Sequence, residues 1–107
     1  MKNALADLDV SDGDTVTAEQ IPLAVTAGPI LYEDGSTQTF DAGGATTYVE
    51  NGRPTAGEWY LGPDGRFCSY WPPSYRACYD LRWVVENGHI TGLRFTDRAS
   101  EFVGRYQ

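Results

Sequence analysis

Few residues in this 107-residue chain have side chains suited to catalysis or metal binding. His89 is the only histidine, and it follows the Asn87-Gly88 turn, where we expect an exposed position. A lone histidine excludes most zinc sites, and no cluster of histidine, cysteine and carboxylate residues has metal-ligand spacing. Ser69 and Ser74 lack the sequence context of a nucleophilic serine. We therefore predict no catalytic residue, no metal site and no cofactor.

Glu58 and Asp80 are the carboxylates of the central aromatic stretch. On the strand register derived below, both side chains point away from the aromatic face. We therefore expect solvated or ion-paired carboxylates rather than an acid/base pair, with Arg82 as the partner of Asp80.

Arg94 is the charge whose position matters most. A two-residue turn at Asn87-Gly88 pairs Leu81 with Arg94 and places the guanidinium on the aromatic face, where it needs an anion or another hydrogen-bond acceptor. In that position Arg94 would receive an acidic ligand. One alternative is a β-bulge near Gly92 that turns Arg94 outward. The other is an Arg94 side chain at the rim of the barrel that extends its guanidinium into solvent.

The elements that position these residues centre on residues 57–87, which contain all three tryptophans and both cysteines. Pro63-Asp64-Gly65 predicts a three-residue hairpin loop that ends on a glycine in the left-handed conformation. This loop places Leu61 opposite Phe67. The loop also places four apolar residues on a single face, and we predict that the first three are buried in the core: Trp59, Leu61, Phe67 and Trp71.

A second connection, Trp71-Pro72-Pro73-Ser74-Tyr75, ends the next strand because proline cannot donate to a strand ladder. A loop centred on Pro73 places Cys68 directly opposite Cys78 on the outer face, within disulfide reach. We therefore predict a Cys68–Cys78 disulfide. The following strand then has a core face, formed by Tyr79, Leu81, Trp83 and Val85.

Turn signals divide the chain from residue 29 onward into about eight short strands. Before them, Thr17-Ala18-Glu19-Gln20 fits a capping box and predicts a short helix around Ala18–Val25. The predicted fold is mainly β: an antiparallel meander that forms a small lipocalin-like barrel or a strongly curved sheet, with the helix plugging one end. We divide the chain into a flexible acidic arm, residues 1–14, and a single barrel-like domain, residues 15–107.

Charge and hydropathy exclude several classes of function. The net charge of −7 argues against nucleic-acid binding, which needs clustered Lys and Arg. No apolar run approaches the roughly 18 residues of a membrane span, so we expect no membrane insertion. The N-terminal residues lack the apolar region of a signal peptide, which leaves a cytoplasmic protein or a mature form without its leader. A Cys68–Cys78 disulfide would favour a periplasmic or secreted protein.

Several short motifs resemble a known group of proteins. These motifs are Gly57-x-Trp59, Gly65-Arg66-x-Cys68, Cys78-Tyr79 and a closing Gly104-x-Tyr106. Together they resemble small, mostly exported bacterial β-proteins of uncharacterised function, in which a helix precedes a sheet with a Gly-x-Trp strand and a cysteine pair. The resemblance covers residues 17–107 and implies a disulfide and an export route, but no reaction.

The strongest functional signal is an aromatic tip. Tyr70, Trp71 and Tyr75 flank two prolines at a strand connection, where most loops are polar and flexible. Such a tip either covers the barrel mouth or contacts a partner at low entropy cost. We predict a non-catalytic binding protein that contacts a protein partner through the tip, residues 70–75. The alternative is a carrier of a small acidic ligand, or an enzyme, that uses a barrel mouth around Arg94, Glu58 and Tyr79.

Overall fold

Eight antiparallel strands, connected in sequence order, form a closed barrel in the computed structural model, which describes residues 4–107. The strands are β1 (Ile30–Tyr32), β2 (Thr37–Phe40), β3 (Ala45–Glu50), β4 (Arg53–Leu61), β5 (Phe67–Trp71), β6 (Tyr75–Glu86), β7 (His89–Thr96) and β8 (Glu101–Tyr106). β8 pairs with β1, so the edge strands of the meander form backbone hydrogen bonds with each other and no edge is left between them. The predicted antiparallel barrel is confirmed.

Two short helical segments precede the barrel: a 3-10 helix, Ala4–Asp7, and α1, Ile21–Thr26. The predicted capping box is present, because Thr17 and Gln20 each accept a hydrogen bond from the other's backbone amide, at 3.3 and 3.1 Å. The α-helix nevertheless begins at Ile21, later than predicted, after a turn at residues 18–20. It buries one apolar face in the barrel core, formed by Ile21, Ala24 and Val25.

Residues 12–16 lie along β6. β5 pairs only with residues 75–79 of that strand. Farther along β6, backbone groups of Leu81 and Trp83 form hydrogen bonds with the N-terminal segment instead. Hydrogen bonds of 2.9 Å join Gly13, Asp14 and Val16 to Trp83 and Leu81. Leu5 is buried in the core. The described part of the predicted arm is therefore docked on the barrel, and its flexibility stays a prediction.

The predicted registers of the β4–β5 and β5–β6 hairpins are confirmed. Leu61 lies opposite Phe67, as the three-residue loop requires. Cys68 lies opposite Cys78 across the Pro72-Pro73 connection, whose peptide bond is cis. The two cysteines form the predicted disulfide, which joins β5 to β6 on the outside of the barrel.

The predicted core face is largely present. Four of its members are buried: Trp59, Phe67, Leu81 and Trp83. Tyr79 and Val85 are half-buried. Leu61 was predicted to be buried and is 40% exposed, because it is the last residue of β4 and the chain leaves the sheet directly after it.

A β-bulge in the β6–β7 hairpin turns Arg94 outward. The register shifts by one residue beside Gly92, so that Arg94 lies opposite Arg82 on the outer face. Glycine suits this position, since a Cβ on Gly92 would collide with the carbonyl oxygen of Gly104 on β8. The prediction that Arg94 lies on the aromatic face is therefore wrong, and the bulge alternative is confirmed. The inner positions of β7 hold Leu93 and Phe95.

Candidate ligand-binding site

Core side chains fill part of the barrel, and beside them lies a half-open cavity of about 460 Å³. This volume lies within the range of small-molecule sites. The walls are mainly aromatic and come from strands on several sides of the barrel: Tyr32, Tyr48, Phe67, Trp71, Tyr79, Phe95 and Phe102. The cavity is therefore a product of barrel closure, because no two neighbouring strands supply all of these rings.

Two glycines give the aromatic rings their space. A Cβ on Gly57 would lie 2.5 Å from Cε3 of Trp71, so the indole rests directly on the glycine backbone. A Cβ on Gly104 would lie 3.0 Å from the ring of Tyr32 and would also collide with Ile30. Both rings therefore pack against the barrel wall. The sequence showed these glycines only as parts of motifs and did not reveal this role.

Buried hydrogen bonds fix the polar side chains of the cavity. The Tyr32 hydroxyl donates to Gln38 Oε1 at 2.7 Å, and Gln38 Nε2 donates to Thr46 Oγ1 at 2.9 Å. On another wall, Trp71 Nε1 donates to Ser69 Oγ at 3.2 Å. Ser69 is buried and keeps its own O–H, which can donate to a ligand. The site thus combines rigid apolar walls with a few oriented polar groups.

The cavity tyrosines are held in their neutral form. Burial raises the pKa of Tyr32 far above its ordinary value. Burial also raises the pKa of Tyr79 to about 12, and the neighbouring Tyr75 and Asp97 add to this shift. Because an ionised phenolate is disfavoured in a desolvated position, both side chains present neutral rings at neutral pH. Neither tyrosine is suited to act as a base there.

The rim of the cavity is acidic. Glu33, Asp34 and Glu101 lie among its lining residues, and within residues 4–107 no lysine or arginine does. Glu101 Oε2 lies 3.5 Å from Arg94 Nε. Asp34 Oδ1 accepts hydrogen bonds from the amide and the hydroxyl of Ser36, at 2.9 and 2.5 Å, and these bonds lower the pKa of Asp34. The Asp34 carboxylate is therefore fixed in position and ionised.

The predicted aromatic tip is divided between three environments. Tyr70 lies on the outer face, where the Arg76 guanidinium carbon is 4.4 Å from its ring centroid and its hydroxyl donates to the Pro73 carbonyl at 2.8 Å. Trp71 lines the cavity. The Tyr75 residue is 61% exposed. The tip therefore contributes one wall of the cavity as well as an exposed tyrosine.

The mouth predicted around Arg94, Glu58 and Tyr79 does not form. Of these three residues, only Tyr79 lines the cavity. Arg94 lies outside and Glu58 is exposed on the outer face, opposite Tyr70. The acidic-ligand prediction therefore loses the cation on which it rested.

The predicted ion pair of Asp80 is also wrong. Its Oδ1 lies 3.2 Å from Arg66 Nε. Arg66 directly precedes β5, which is the neighbour of the strand that carries Asp80, β6. Arg82 instead donates to the Gly13 carbonyl at 2.9 Å. None of these three charged residues is among the residues that line the cavity.

Sequence reasoning missed Tyr32 and Tyr48 as site residues. Both stand on short strands whose inner face depends on the pairing of β1 with β8, a contact between the two ends of the barrel. The alternation of Thr46 and Tyr48 with their neighbours was the available signal, because alternate residues of a strand share a face. Without the closing strand pair, that signal does not show which face is inside.

No protein-family model matches the sequence, and no match was found among curated proteins or solved structures. Within the part of the chain that the structure describes, no group of three or more His, Cys, Asp or Glu side chains could hold a metal ion. No helix among residues 4–107 is long and apolar enough to cross a membrane. His89 is exposed at the start of β7. The geometry of the cavity therefore carries the functional argument.

Proposed function

We propose that this protein is a non-catalytic binding protein that holds one small, largely apolar molecule in its barrel cavity. The observation that carries this proposal is the half-open cavity of about 460 Å³, whose aromatic walls come from several strands of the closed barrel. Small-molecule sites combine apolar, aromatic walls with a few oriented polar groups, and this cavity has both.

Preorganisation supports the same proposal. The Trp71 indole is held between the Gly57 backbone and its hydrogen bond to Ser69, and the Tyr32 hydroxyl is held by Gln38. Binding therefore requires little additional ordering of these side chains. Because ordering costs subtract from the affinity, a prearranged wall favours a small ligand that offers few polar contacts of its own.

A cavity-filling variant tests the proposal. Ser69 is buried and lines the cavity, so Ser69→Leu adds apolar volume where the ligand would lie. We expect the wild-type protein to bind the neutral aromatic probe N-phenyl-1-naphthylamine saturably, with one probe per chain and a blue shift of its fluorescence. Ser69→Leu should weaken this binding at least about tenfold, the loss that removing roughly 1.4 kcal/mol of contact produces.

Ser11→Leu is the matched control, because it makes the same change at an exposed position outside the cavity. It should bind the probe like the wild-type protein. Equal affinity in all three proteins, or binding that does not saturate, would contradict a ligand in the cavity.

The location we propose is the periplasm or the extracellular space. The Cys68–Cys78 disulfide fits such a compartment, since disulfides persist where the environment is oxidising. The resemblance to small exported bacterial β-proteins points in the same direction. Accessible thiols in protein taken directly from its native compartment would contradict this location.

A protein partner at the tip is the second candidate, and the exposure of Tyr75 favours it. The tyrosine is 61% exposed on a connection that Tyr70 and Pro73 stiffen with a hydrogen bond. A photo-crosslinking residue at position 75 should then capture one partner saturably. The same residue at Thr55, which is also exposed, should capture none. Equal capture at both positions would show that the tip is not a specific contact surface.

A further inference from the structure

The aromatic rings of the cavity are inclined to one another. The Tyr48 and Trp71 centroids lie 6.3 Å apart with planes inclined at 70°, and those of Tyr32 and Tyr48 lie 6.3 Å apart at 48°. These rings therefore do not form a parallel stack. The face of a tyrosine or tryptophan is electron-rich and attracts a cation within about 6 Å of its centroid.

The charges around these rings have one sign. Glu33, Asp34 and Glu101 stand among the lining residues, and no lysine or arginine does within residues 4–107. Glu101 is paired with Arg94 on the outside. Asp34 has no ion pair among the described residues, and its hydrogen bonds to Ser36 leave Oδ2 available.

Asp34 also lies near the aromatic wall. Asp34 follows Tyr32 by two residues in the connection between β1 and β2, and both residues line the cavity. The Asp34 carboxylate therefore belongs to the same cavity as Tyr32, Tyr48 and Tyr79. An anion placed there would meet the Asp34 carboxylate and no lysine or arginine among the described lining residues, whereas a cation would meet aromatic rings and Asp34.

We propose that the ligand of this cavity is an organic cation: an amine or quaternary ammonium group attached to a small apolar body. The ammonium group lies against Tyr32, Tyr48 and Trp71 near Asp34, and the apolar body packs on the deeper rings of Phe67 and Phe95, which are almost completely buried. The net charge of −7 raises the local concentration of such a cation around the protein. This inference rests on the proposed function, because it names the ligand class of the same cavity.

Three probes with one phenyl body separate charge from shape: 2-phenylethylamine, which is a cation at neutral pH, 2-phenylethanol, which is neutral, and phenylacetate, which is an anion. Each competes with N-phenyl-1-naphthylamine for the full chain. We expect the amine to bind about tenfold more tightly than the alcohol, because a desolvated cation–π contact is strong enough to produce such a difference. Phenylacetate should bind most weakly.

Asp34→Asn keeps an oxygen that can accept from Ser36 and removes the charge. It should weaken binding of the amine severalfold more than binding of the alcohol. Asp9→Asn is the matched control, because it makes the same change in net charge at an exposed position away from the cavity lining, and it should leave both affinities unchanged.

The outcomes distinguish this inference from the proposed function. If the alcohol or phenylacetate competes as well as the amine, or if no probe of the set competes, the cation inference is overturned while binding of N-phenyl-1-naphthylamine still supports a ligand cavity. Equal loss of amine and alcohol affinity in Asp34→Asn also overturns it. If N-phenyl-1-naphthylamine itself does not bind saturably, the proposed function and this inference fall together.

Discussion

At Gly57, the absence of a side chain shapes the wall of the cavity. The Trp71 indole occupies the place that a Cβ would take, and Trp71 Nε1 donates to Ser69. We expect a ring held by this packing contact and this hydrogen bond to keep its place whether or not a ligand is present. The space beside it then remains open.

Gly57→Ala should close part of this space. The new Cβ would lie 2.5 Å from Trp71 Cε3 and 2.8 Å from the Tyr70 carbonyl oxygen, so the indole or the strand must move. We expect overpacking to cost about 1–3 kcal/mol of unfolding free energy. Probe affinity should fall at least about tenfold, which is roughly 1.4 kcal/mol. Denaturant unfolding and probe titration measure the two effects.

Gly28→Ala provides the comparison, because nothing lies within 4 Å of the Cβ it would add. It should bind the probe normally. Wild-type probe affinity in Gly57→Ala would show that the position of Trp71 does not shape the site.

At the scale of elements, the pairing of two strands joined by a tight turn could be predicted, because the turn determines which residues lie opposite each other. The Pro63-Asp64-Gly65 loop fixed the β4–β5 register, and Pro72-Pro73 fixed the β5–β6 register. The β6–β7 register was wrong by one residue because a bulge beside Gly92 inserts a residue after a correctly predicted turn. One inserted residue reverses the face of every side chain beyond it, and this reversal carried Arg94 outward.

Pairings between distant segments could not be predicted. The docking of residues 12–16 on β6 joins parts of the chain about 70 residues apart, and no turn links them. The closing pair of β1 and β8 is of the same kind. It brings Tyr32 over Gly104, and so half of the candidate site depends on a contact that local patterns do not encode.

The disulfide should stabilise the β5–β6 hairpin. Cys68 and Cys78 are separated by 10 residues, and closing so short a loop in the unfolded chain contributes about 2–3 kcal/mol. Replacing both cysteines with alanine should lower the unfolding free energy by that amount in denaturant titrations. Mass spectrometry of unreduced peptides identifies the bond directly. Two free thiols, or an unchanged unfolding midpoint in the double variant, would contradict this role.

At the scale of the whole molecule, closure of the barrel gives a small domain an interior that is partly core and partly cavity. Buried tyrosines belong to this interior, and burial raises the pKa of Tyr32, Tyr79 and Tyr106. Their ionisation is therefore coupled to unfolding, because the unfolded chain releases these protons at lower pH than the barrel does.

Alkaline conditions should therefore destabilise the fold. Tyr79 has a pKa of about 12 in the barrel and about 10 when unfolded, so its contribution is complete below pH 10 and is lost as the pH rises towards 12. We expect the unfolding free energy to fall across this range in denaturant titrations at fixed pH. Tyr79→Phe should reduce the slope. A slope that is the same in wild type and Tyr79→Phe would show that Tyr79 is not coupled to folding.

The three tryptophans allow the central claim to be measured directly, because they occupy different parts of the barrel. Trp71 lines the cavity, whereas Trp59 and Trp83 are buried in the core. In an NMR titration of isotope-labelled protein with N-phenyl-1-naphthylamine, we predict that the Trp71 indole N–H signal shifts and saturates at one ligand per chain. The Trp59 and Trp83 indole signals should change little. A Trp71 signal that does not respond, with shifts confined to Tyr60, Tyr70 and Arg76 on the outer face, would contradict a ligand site inside the barrel.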